Sequence, residues 1–430
     1  MNILIVGSGA REHCLAWSVL RSQEAAKVYL APGNGGTKDL DARAENISIA
    51  ATDTESLLKF AIEKHIDLTI VGPEQPLELG IVNLFRAAGK KITGPTKEAA
   101  RLETSKAFAK AFMYRHQIPT AAFETFTSHV AAKNYVSQHT YPQVIKASGL
   151  AAGKGVIVAM NEREAFAALE EMFEQKVFGS AAQEVVIEAF MQGEEASLFV
   201  FTDGVNYKLL PAAQDHKRIG VGDTGKNTGG MGAYSPAPVV TAEVLRQAQE
   251  KIIEPTLRGM RAEGNPFTGF LYVGVMIENE TPRVVEFNVR LGDPETEAVL
   301  PLLESKLLEV LVACESGALA GFDVVVKPLA ASTVVMASGG YPDLYQTGKV
   351  ITGQCHYQDG EDVMIFHAGT KSEHGKLRTA GGRVLAVTSL AATLAESLEK
   401  TYDAVSQIHF EGAYYRSDIG HRASVKRFEK

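Results

Sequence analysis

Short apolar runs alternate with helical patterns over the first hundred residues, and this alternation constrains the fold more than any other feature of the sequence. The apolar runs predict four strands, at residues 3–6, 28–30, 67–72 and 91–94. Helical patterns begin after Ala10, Thr54 and Leu77. Strands that alternate with helices form a parallel, doubly wound sheet whose loops gather at the carboxyl ends of the strands. We therefore expect an α/β domain at the start of the chain.

The first predicted strand ends in "GSGAREH" at residues 7–13, which contains the first two glycines of a dinucleotide-binding fingerprint. Glu12 occupies the position of its third glycine, and the second predicted strand ends in Leu30 and Ala31 rather than in an acid. A nicotinamide-dependent oxidoreductase, the alternative that the two glycines raise, requires both missing features. The stretch instead predicts a helix N-terminus whose free backbone N–H groups hold one phosphate. A second turn of this kind begins at Gly72, so the two would share one crevice.

The pattern changes twice further along, and 430 residues at roughly 150 per domain predict three domains. Their expected ranges are 1–103, 104–318, with a small α+β unit at about 122–190, and 322–430. The second is predicted to contain a long polar loop without regular structure and two long helices, at 214–238, 241–263 and 295–314. The third has the short strands and final helix of a separate small α+β domain.

The composition of the chain indicates which kinds of molecule it can bind and in which compartment it works. The formal net charge of −8 argues against nucleic acid and anionic membranes, both of which select basic surfaces. Cys14, Cys314 and Cys355 are too scattered for a disulfide framework or a zinc site, and they fit a reducing compartment. No apolar run reaches the roughly 18 residues of a membrane span, and no signal-peptide pattern is present. We expect a soluble, cytoplasmic protein with small-molecule substrates.

The segment "VIKASGLAAGKGV" at residues 144–156 places one lysine at the end of a strand and another in a glycine-rich loop. Glycines let a backbone approach a phosphate chain closely, and a loop lysine can fold over its end. The spacing does not match a Walker A motif. An ordinary glycine-rich hairpin with exposed lysines explains the same letters. The candidate phosphate-binding residues are Lys146, Gly149, Gly153, Lys154 and Gly155.

The segment "VVEFNVRLGDPETEA" from Val284 brings polar side chains to the end of a strand. Side chains alternate along a strand, so Glu286, Asn288 and Arg290 share one face. A carboxylate beside an amide oxygen suits Mg²⁺, which takes few protein ligands and completes its shell with phosphates. Arg290 could hold a phosphate or a carboxylate in a bidentate manner. A half-exposed edge strand is the alternative, but the turn that begins at Gly292 directly after the strand favours a site.

Two further segments carry weaker signals. "VIEAFMQGEEASL" from Val186 is a strand, a turn and a returning strand that could frame an adenine and its ribose. Solvated glutamates on a plain hairpin explain it equally well. The segment at 214–236 contains six glycines among mixed charges, which is typical of a binding loop, and His216 within it reads as a structural histidine rather than a general base.

Together these motifs resemble the ATP-grasp superfamily and, over essentially the whole chain, its family of ligases that join glycine to 5-phosphoribosylamine. The matching motifs, in chain order, are GSGAREH, APGNGGT, GPEQPL, GLAAGKGV, QDHKR, NTGGMGAYSP and GDPET. The resemblance implies a Rossmann-like preATP-grasp domain, an ATP-grasp domain with a lid, and a small C-terminal α+β domain. It implies ATP-dependent formation of glycinamide ribonucleotide through glycyl phosphate, in purine biosynthesis, with Mg²⁺ or Mn²⁺. It also implies a monomer in transient contact with the amidotransferase that makes phosphoribosylamine.

The resemblance assigns roles to individual positions. Catalytic roles fall on Lys146, Arg290 and Asp293, and the metal ligands are Glu286 and Asn288. The nucleotide would bind at Lys106, Lys146, Gly149, Gly153, Lys154, Gly155, Glu188, Phe190 and Glu195. The other substrates would bind at Gly9, Gly72, Pro73, Glu74, Asp215, Arg290, Gly292 and Asp293.

The chain departs from the family pattern at Ser148, Val221, Lys226, Leu291 and Glu297. The family usually has Asp, an acid-rich segment, Pro, Phe and Gln at these places. None is a predicted metal ligand, but Ser148 and Val221 put the local phosphate and loop contacts in question. A different ATP-grasp carboxylate–amine ligase, or a catalytically weakened homologue, is the alternative that these departures leave open.

Overall fold

The first domain contains the expected parallel sheet. The computed structural model describes residues 1–151, 155–175, 177–353 and 362–425, so Gly153, Lys154 and Cys355 lie outside the described residues. The strands are β1 (Asn2–Gly7), β2 (Lys27–Pro32), β3 (Ala44–Asn46), β4 (Leu68–Val71) and β5 (Ile92–Thr93), in the order β3-β2-β1-β4-β5. All pair in parallel. The sequence did not predict β3, which is only three residues long.

The helices of this domain are α1 (Ala10–Leu20), α2 (Thr54–Glu63), α3 (Glu74–Glu78), α4 (Ile81–Ala87), α5 (Lys97–Thr104) and α6 (Lys106–Arg115). The helical pattern predicted after Leu77 is in fact the two helices α3 and α4, because Gly80 between them has a φ of 85° that ends one helix and starts the next. The strand order reverses at β1 and β4, where Val6 lies opposite Val71. Ligand crevices of open α/β sheets form at such a switch point.

A smaller unit follows. Its strands are β6 (Phe123–Phe126), β7 (Gln143–Ala147), β8 (Val156–Ala159) and β9 (Val185–Ala189), which form an antiparallel sheet in the order β6-β9-β7-β8. Helices α7 (His129–Ser137) and α8 (Glu162–Phe173) contribute Ala132, Val136 and Leu169 to its hydrophobic core, together with Ile145 of β7. Because Ile145 faces this core, the neighbouring Lys146 faces away from it.

The polar segment at 214–238 is more regular than the sequence predicted. After β10 (Glu194–Thr202) and β11 (Tyr207–Leu209) come four short strands: β12 (Gln214–Asp215), β13 (Arg218–Gly220), β14 (Thr224–Asn227) and β15 (Gly232–Ser235). The expectation of a loop without regular structure is therefore wrong. The strands are too short to show an alternating apolar pattern, and one of them, β15, pairs with a strand about a hundred residues further along the chain.

The central sheet has the order β11-β10-β16-β17 and is antiparallel. The remaining elements of the central segment are α9 (Ala242–Ala248), α10 (Glu254–Ala262), β16 (Gly269–Glu278), β17 (Thr281–Asn288), α11 (Glu295–Val299) and α12 (Leu307–Glu315). A π-helical turn at Gln249–Ile253 joins α9 to α10. The single helix predicted at 295–314 is wrong, because a 3₁₀ turn with Pro301 separates α11 from α12, and proline cannot donate the hydrogen bond of a helix interior.

The final part of the chain is not structurally separate. Its elements are β18 (Ala330–Ala337), β19 (Thr352–Gly353), β20 (Val363–His367), β21 (Thr370–Glu373), β22 (Lys376–Thr379), β23 (Arg383–Ala391), α13 (Leu394–Ser406), β24 (Ile408–His409) and α14 (His421–Val425). The main sheet has the order β12-β15-β18-β23-β20, so it includes two strands from the central segment. The expected small terminal α+β domain is thus joined to the central part of the chain through one sheet. Among the described helices, none combines the length and apolarity needed to cross a membrane.

Candidate active site

The crevice at the switch point is built around the side chain of Glu12. Glu12 is 2% exposed, and it accepts a hydrogen bond from the Gly9 N–H at 2.6 Å and one from Arg11 Nε at 2.6 Å. A Cβ atom at Gly7 or at Gly72 would collide with the Glu12 side chain, so both turns require glycine. The expectation of a free N–H group at Gly9 is thus wrong for this conformation. Glu12 itself fills the space that a third glycine leaves open in dinucleotide-binding turns.

Two arginines from distant parts of the chain meet beside this crevice. Arg290 lies 3.3 Å from Glu74 Oε2 and 3.0 Å from Glu103 Oε1. Arg290 Nη1 and Arg11 Nη1 both donate to the Leu291 carbonyl, each at 3.2 Å. Burial alone raises the pKa of Glu74, but Arg290 and Arg11 outweigh it and hold that pKa below its ordinary value. The sequence did not predict Arg11 and Glu103 as site residues. Each lies in a helix, and nothing in its local pattern points to a site.

The predicted phosphate lysine of β7 is held by a buried acid. Lys146 Nζ lies 2.8 Å from Glu188 Oε1, and Lys110 Nζ lies 3.1 Å from Glu188 Oε2. All three side chains are almost completely buried, and burial lowers the pKa of Lys110 to about 8. Glu188, predicted at the adenine–ribose hinge, therefore pairs with two lysines here. Lys110 was missed, although its position one helical turn after Lys106 places both on one face of α6.

Lys106 begins α6 and points toward the glycine-rich segment. Its Nζ donates to the Gly149 carbonyl at 3.3 Å, and burial lowers the pKa of its ammonium group. The Gly149 N–H donates to the Ala181 carbonyl, and the Gly155 carbonyl accepts from Ala147. Among the glycine-rich candidates that the structure describes, Gly149 and Gly155 thus flank the end of β7.

The two predicted metal ligands lie on one face of β17. Glu286 lies opposite Gly274 and Asn288 opposite Tyr272, while Val285 forms a β-bulge between them and the preceding residues. Burial alone raises the pKa of Glu286, but Lys217, Lys146, Lys106 and Arg290 outweigh it, so that pKa lies below its ordinary value. Asn288 is buried, and its Nδ2 has no hydrogen-bond partner.

A second acidic and basic cluster borders β17. Lys217 Nζ contacts the Glu195 carboxylate and lies 3.9 Å from Glu286 Oε1. Burial alone lowers the pKa of Lys217, but Glu195, Asp215, Tyr272 and Glu286 raise it well above its ordinary value. Burial raises the pKa of Asp215 to about 7. Lys217 was missed, although it lies in the QDHKR motif.

The hinge candidates lie next to this cluster. Glu195 lies near the start of β10, and Phe190 lies in the turn before that strand with 44% of its surface exposed. Ser197, two residues after Glu195, donates to the Tyr272 hydroxyl at 3.0 Å and to Glu295 Oε1 at 3.4 Å. Among the hinge candidates, Glu195 is thus part of the cluster through Lys217.

The turn after β17 is tied to the C-terminal part of the chain. Asp293 Oδ1 lies 3.1 Å from Arg383 Nη1, which also donates to the carbonyls of Asp293 and Gly229, both at 2.7 Å. A Cβ atom at Gly9 would lie 3.2 Å from Asp293 Oδ2, so this carboxylate faces the opening turn. Gly292 accepts a short hydrogen bond from the Thr296 hydroxyl. Arg383 is a residue that sequence reasoning missed.

Two of the family departures are accommodated by local contacts. Ser148 Oγ accepts a hydrogen bond from Ala107 N at 3.1 Å near the start of α6. Lys226 Nζ donates to Asp343 Oδ1 at 2.7 Å on the surface. Nothing in the structure explains Val221, which is exposed.

The other two departures are buried. Leu291 is 2% exposed and belongs to the hydrophobic core. Glu297 is fully buried, and neither carboxylate oxygen has a hydrogen-bond partner on another residue. Burial, with the neighbouring Asp293 carboxylate, raises the pKa of Glu297 well above its ordinary value.

This arrangement suits a polyphosphate with a divalent cation. Glu286 and Asn288 offer two adjacent oxygen donors, and the unpartnered Asn288 Nδ2 can donate to a phosphate oxygen. Within the described part of the chain, no group of three or more His, Cys, Asp or Glu side chains could hold a metal ion. A cation at β17 must therefore complete its shell with phosphate oxygens or water, as Mg²⁺ does.

Comparison with known proteins places the chain in a class. A family model described as "Phosphoribosylglycinamide synthetase, ATP-grasp (A) domain" matches residues 104–296. The fold and this match define an ATP-grasp enzyme, which binds ATP with a divalent metal. Models of the N and C domains of the same synthetase match residues 1–103 and 331–422. The chain belongs to the phosphoribosylglycinamide synthetase family, which confirms the resemblance inferred from its motifs.

Individual relatives agree over the full length. The chain is 58% identical over 424 residues to the phosphoribosylamine–glycine ligase of Chlorobaculum tepidum, covering 98% of this chain and 100% of that protein. It is 49% identical over 432 residues to the ligase of Vibrio vulnificus strain CMCP6, covering 100% of both.

A solved structure of the same family has a similar fold over the full length. The phosphoribosylamine–glycine ligase of Thermotoga maritima is 33% identical, with a TM-score of 0.85, covering 98% of this chain and 100% of that chain. A biotin carboxylase of Campylobacter jejuni is 16% identical with a TM-score of 0.74, covering 96% and 92%, and this likeness shows the fold alone.

Proposed function

We propose that this chain is an ATP-dependent ligase that joins glycine to 5-phosphoribosylamine, giving glycinamide ribonucleotide, ADP and phosphate in purine biosynthesis. The observation that carries the proposal is full-length identity of 58% to a phosphoribosylamine–glycine ligase. The orphaned amide of Asn288 beside Glu286, with buried lysines around them, supports it chemically.

The reaction must overcome charge repulsion. A carboxylate is a poor electrophile, so glycine has to be converted to glycyl phosphate before an amine can attack it. That step brings the anionic carboxylate toward the γ-phosphate of ATP. Lys106, Lys146 and Arg290 provide positive charge in a site with little water, where electrostatic stabilisation is strong.

We propose that the divalent cation is Mg²⁺ or Mn²⁺, held by Glu286 and Asn288. When bound, it would neutralise phosphate charge and orient the γ-phosphate. The low pKa of Glu286 keeps its carboxylate ionised and able to bind a cation at neutral pH. Asn288 would add a neutral oxygen, Oδ1, and its unpartnered Nδ2 would donate to a phosphate oxygen of the nucleotide.

The remaining residues divide into two sides of one cleft. On the nucleotide side we assign Lys106, Lys146, Gly149, Gly153, Lys154, Gly155, Glu188, Phe190 and Glu195. On the side of glycine and phosphoribosylamine we assign Gly9, Gly72, Pro73, Glu74, Asp215, Arg290, Gly292 and Asp293. The proximity of Asp293 to Gly9 supports the second group, because it joins the opening turn to the end of β17. Closure of the unit at about 122–190 would keep water from the glycyl phosphate.

The setting of the enzyme is also part of the proposal. We propose a cytoplasmic monomer that receives unstable phosphoribosylamine through transient contact with the amidotransferase that makes it. Cys14 and Cys314 are free buried thiols, which supports a reducing compartment.

The test is phosphate release from ATP with glycine, phosphoribosylamine or the metal omitted in turn. We expect release only with all present, and glycinamide ribonucleotide as the product. Turnover that does not depend on glycine, or that needs another amine, would indicate a different ATP-grasp ligase. No turnover with folded protein would indicate a catalytically weakened homologue.

A further inference from the structure

The C-terminal segment at residues 414–422, here called the C-terminal strap, packs along the loop that carries Lys217. Arg416 is fully buried and lies 2.8 Å from Asp223 Oδ1 and 2.7 Å from Asp418 Oδ2. Arg422 lies 2.7 Å from Asp223 Oδ2. Two guanidinium groups thus hold a single carboxylate of the loop from both sides.

The strap also binds the backbone on both sides of Lys217. Arg422 Nη1 donates to the Asp215 carbonyl at 3.1 Å, and Arg416 Nη1 donates to the Arg218 carbonyl at 3.0 Å. The Gly420 N–H donates to His216 Nε2 at 3.3 Å. These bonds leave the backbone of the loop little freedom at the residues that flank Lys217.

Neighbouring residues of this segment make contacts in different directions. Lys217, two residues after Asp215, contacts the Glu195 carboxylate through its Nζ. His216 lies between them in sequence and faces the strap instead. The strap therefore contacts His216, while the next residue, Lys217, contacts Glu195 on the proposed nucleotide side.

We propose that the C-terminal strap positions Lys217 between Glu195 and Glu286. Arg422 contributes to this positioning through its contacts with Asp223 and with the Asp215 carbonyl. Lys217 then sets the charge beside the metal ligand without being the ligand. The inference rests on the proposed function only for the identity of the nucleotide. It gives the last residues of the fold a role in nucleotide binding, although they lie outside the cleft.

The experiment measures the affinity for a nonhydrolysable ATP analogue with Mg²⁺ by calorimetry, in the full-length protein. Arg422→Ala removes the bonds to Asp215 and Asp223, and we expect the Kd to rise about tenfold, the effect of one charge-assisted hydrogen bond. Arg422→Lys restores one charge and should recover part of the loss. Lys400→Ala removes an exposed pair with Asp362 in the same part of the chain and should leave the Kd unchanged.

A double-mutant cycle with Lys217→Met separates positioning from general weakening. If Arg422 acts through Lys217, Arg422→Ala changes the Kd by no more than about twofold in the Lys217→Met background. An equal loss in both backgrounds, or an unchanged Kd in Arg422→Ala alone, would overturn the proposal. Thermal unfolding of each variant must remain close to wild type, and Arg422→Lys provides the second variant if Arg422→Ala unfolds. Binding is read without turnover, so failure of the glycine-dependent assay leaves this result interpretable.

Discussion

Single side chains decide what each part of the cleft can bind. Glu12 is the clearest case, because its carboxylate occupies the opening turn, binds the Gly9 N–H and requires glycine at positions 7 and 72. A fingerprint of two glycines thus stays intact while the space for a dinucleotide is lost. The orphaned amide of Asn288 has the opposite meaning, since an unsatisfied buried group marks a place where a ligand can complete the structure.

Glu286→Ala should lower turnover by at least about two orders of magnitude, because it removes the only ionised oxygen donor that we assign to the metal. The measurement is phosphate release as a function of Mg²⁺ and Mn²⁺ concentration. Cys14→Ala is the control and should retain activity, since the thiol is buried in the hydrophobic core and donates to the Thr296 carbonyl at 3.6 Å. Near-normal activity of Glu286→Ala would refute the metal assignment.

Glu297 should make the protein less stable as the pH rises. Its folded pKa lies well above the ordinary value of 4.5, so the folded chain keeps a proton that the unfolded chain releases. The stabilisation of the folded state by this bound proton is complete below pH 4.5. As the pH rises from 4.5 to the folded pKa, it is lost by about 1.4 kcal/mol per pH unit. Glu297→Gln removes the ionisation, so its free energy of unfolding should depend less on pH.

Urea unfolding at pH 5 and pH 8 tests this. We expect the difference between the two pH values to be smaller in Glu297→Gln than in wild type, with the variant gaining relative stability at pH 8. An identical pH dependence in both proteins would show that the carboxyl group is already ionised in the folded state.

At the scale of elements, α6, β7 and β9 are joined by one buried network of ion pairs. Lys110 comes from the helix, Lys146 from one strand and Glu188 from its neighbour, and each is buried. Burial of three ionisable groups is tolerated because the acid lies between the two lysines. On β17, the bulge at Val285 shifts the strand register just before the two predicted metal ligands.

Glu188→Ala should lower the free energy of unfolding by about 3–5 kcal/mol, because it leaves two buried lysines without their acid. Denaturant unfolding measures the change. Glu250→Ala removes a glutamate from an exposed pair with Arg246 and should leave stability close to wild type. A loss of similar size in both variants would show that burial does not distinguish the two pairs.

At the scale of the whole molecule, one hydrophobic cluster joins the first domain, the central sheet and the terminal part, and one sheet combines central and terminal strands. A single apolar cluster contains Ile5 of the first domain, Phe199 of the central sheet and Phe366 of β20. Asn34 Nδ2 donates to the Ser8 carbonyl at 2.9 Å and to the His367 carbonyl at 2.7 Å. Movement of the terminal part relative to the first domain would break these contacts.

Hydrogen exchange should show that β15 is stabilised together with the terminal sheet. The amides of Gly232–Ser235 should exchange at a rate similar to those of Ala330–Ala337, because the two strands pair along their length. Mass spectrometry of peptides from native-state exchange measures this. Fast exchange of β15, with β18 still protected, would contradict a shared cooperative unit.

Local patterns were sufficient for much of the fold and part of the site. The strand and helix alternation predicted the parallel sheet, and the period of two along 284–290 predicted that Glu286 and Asn288 share a face. Motif order predicted the family. These features depend on residues close together in sequence, where backbone geometry alone sets which side chains are neighbours.

The contacts that complete the cleft depend on the tertiary structure. Arg11 and Arg290 share the Leu291 carbonyl although some 280 positions separate them, and Lys217 lies 3.9 Å from Glu286 although the two belong to different segments. β15 pairs with β18 across a boundary that the sequence pattern suggested. By itself, the sequence determined the alternating strands and helices of the first domain, the family and the residue types expected at the site. Only packing of distant segments decided which charges meet, because such pairings follow from the burial of whole elements rather than from local spacing.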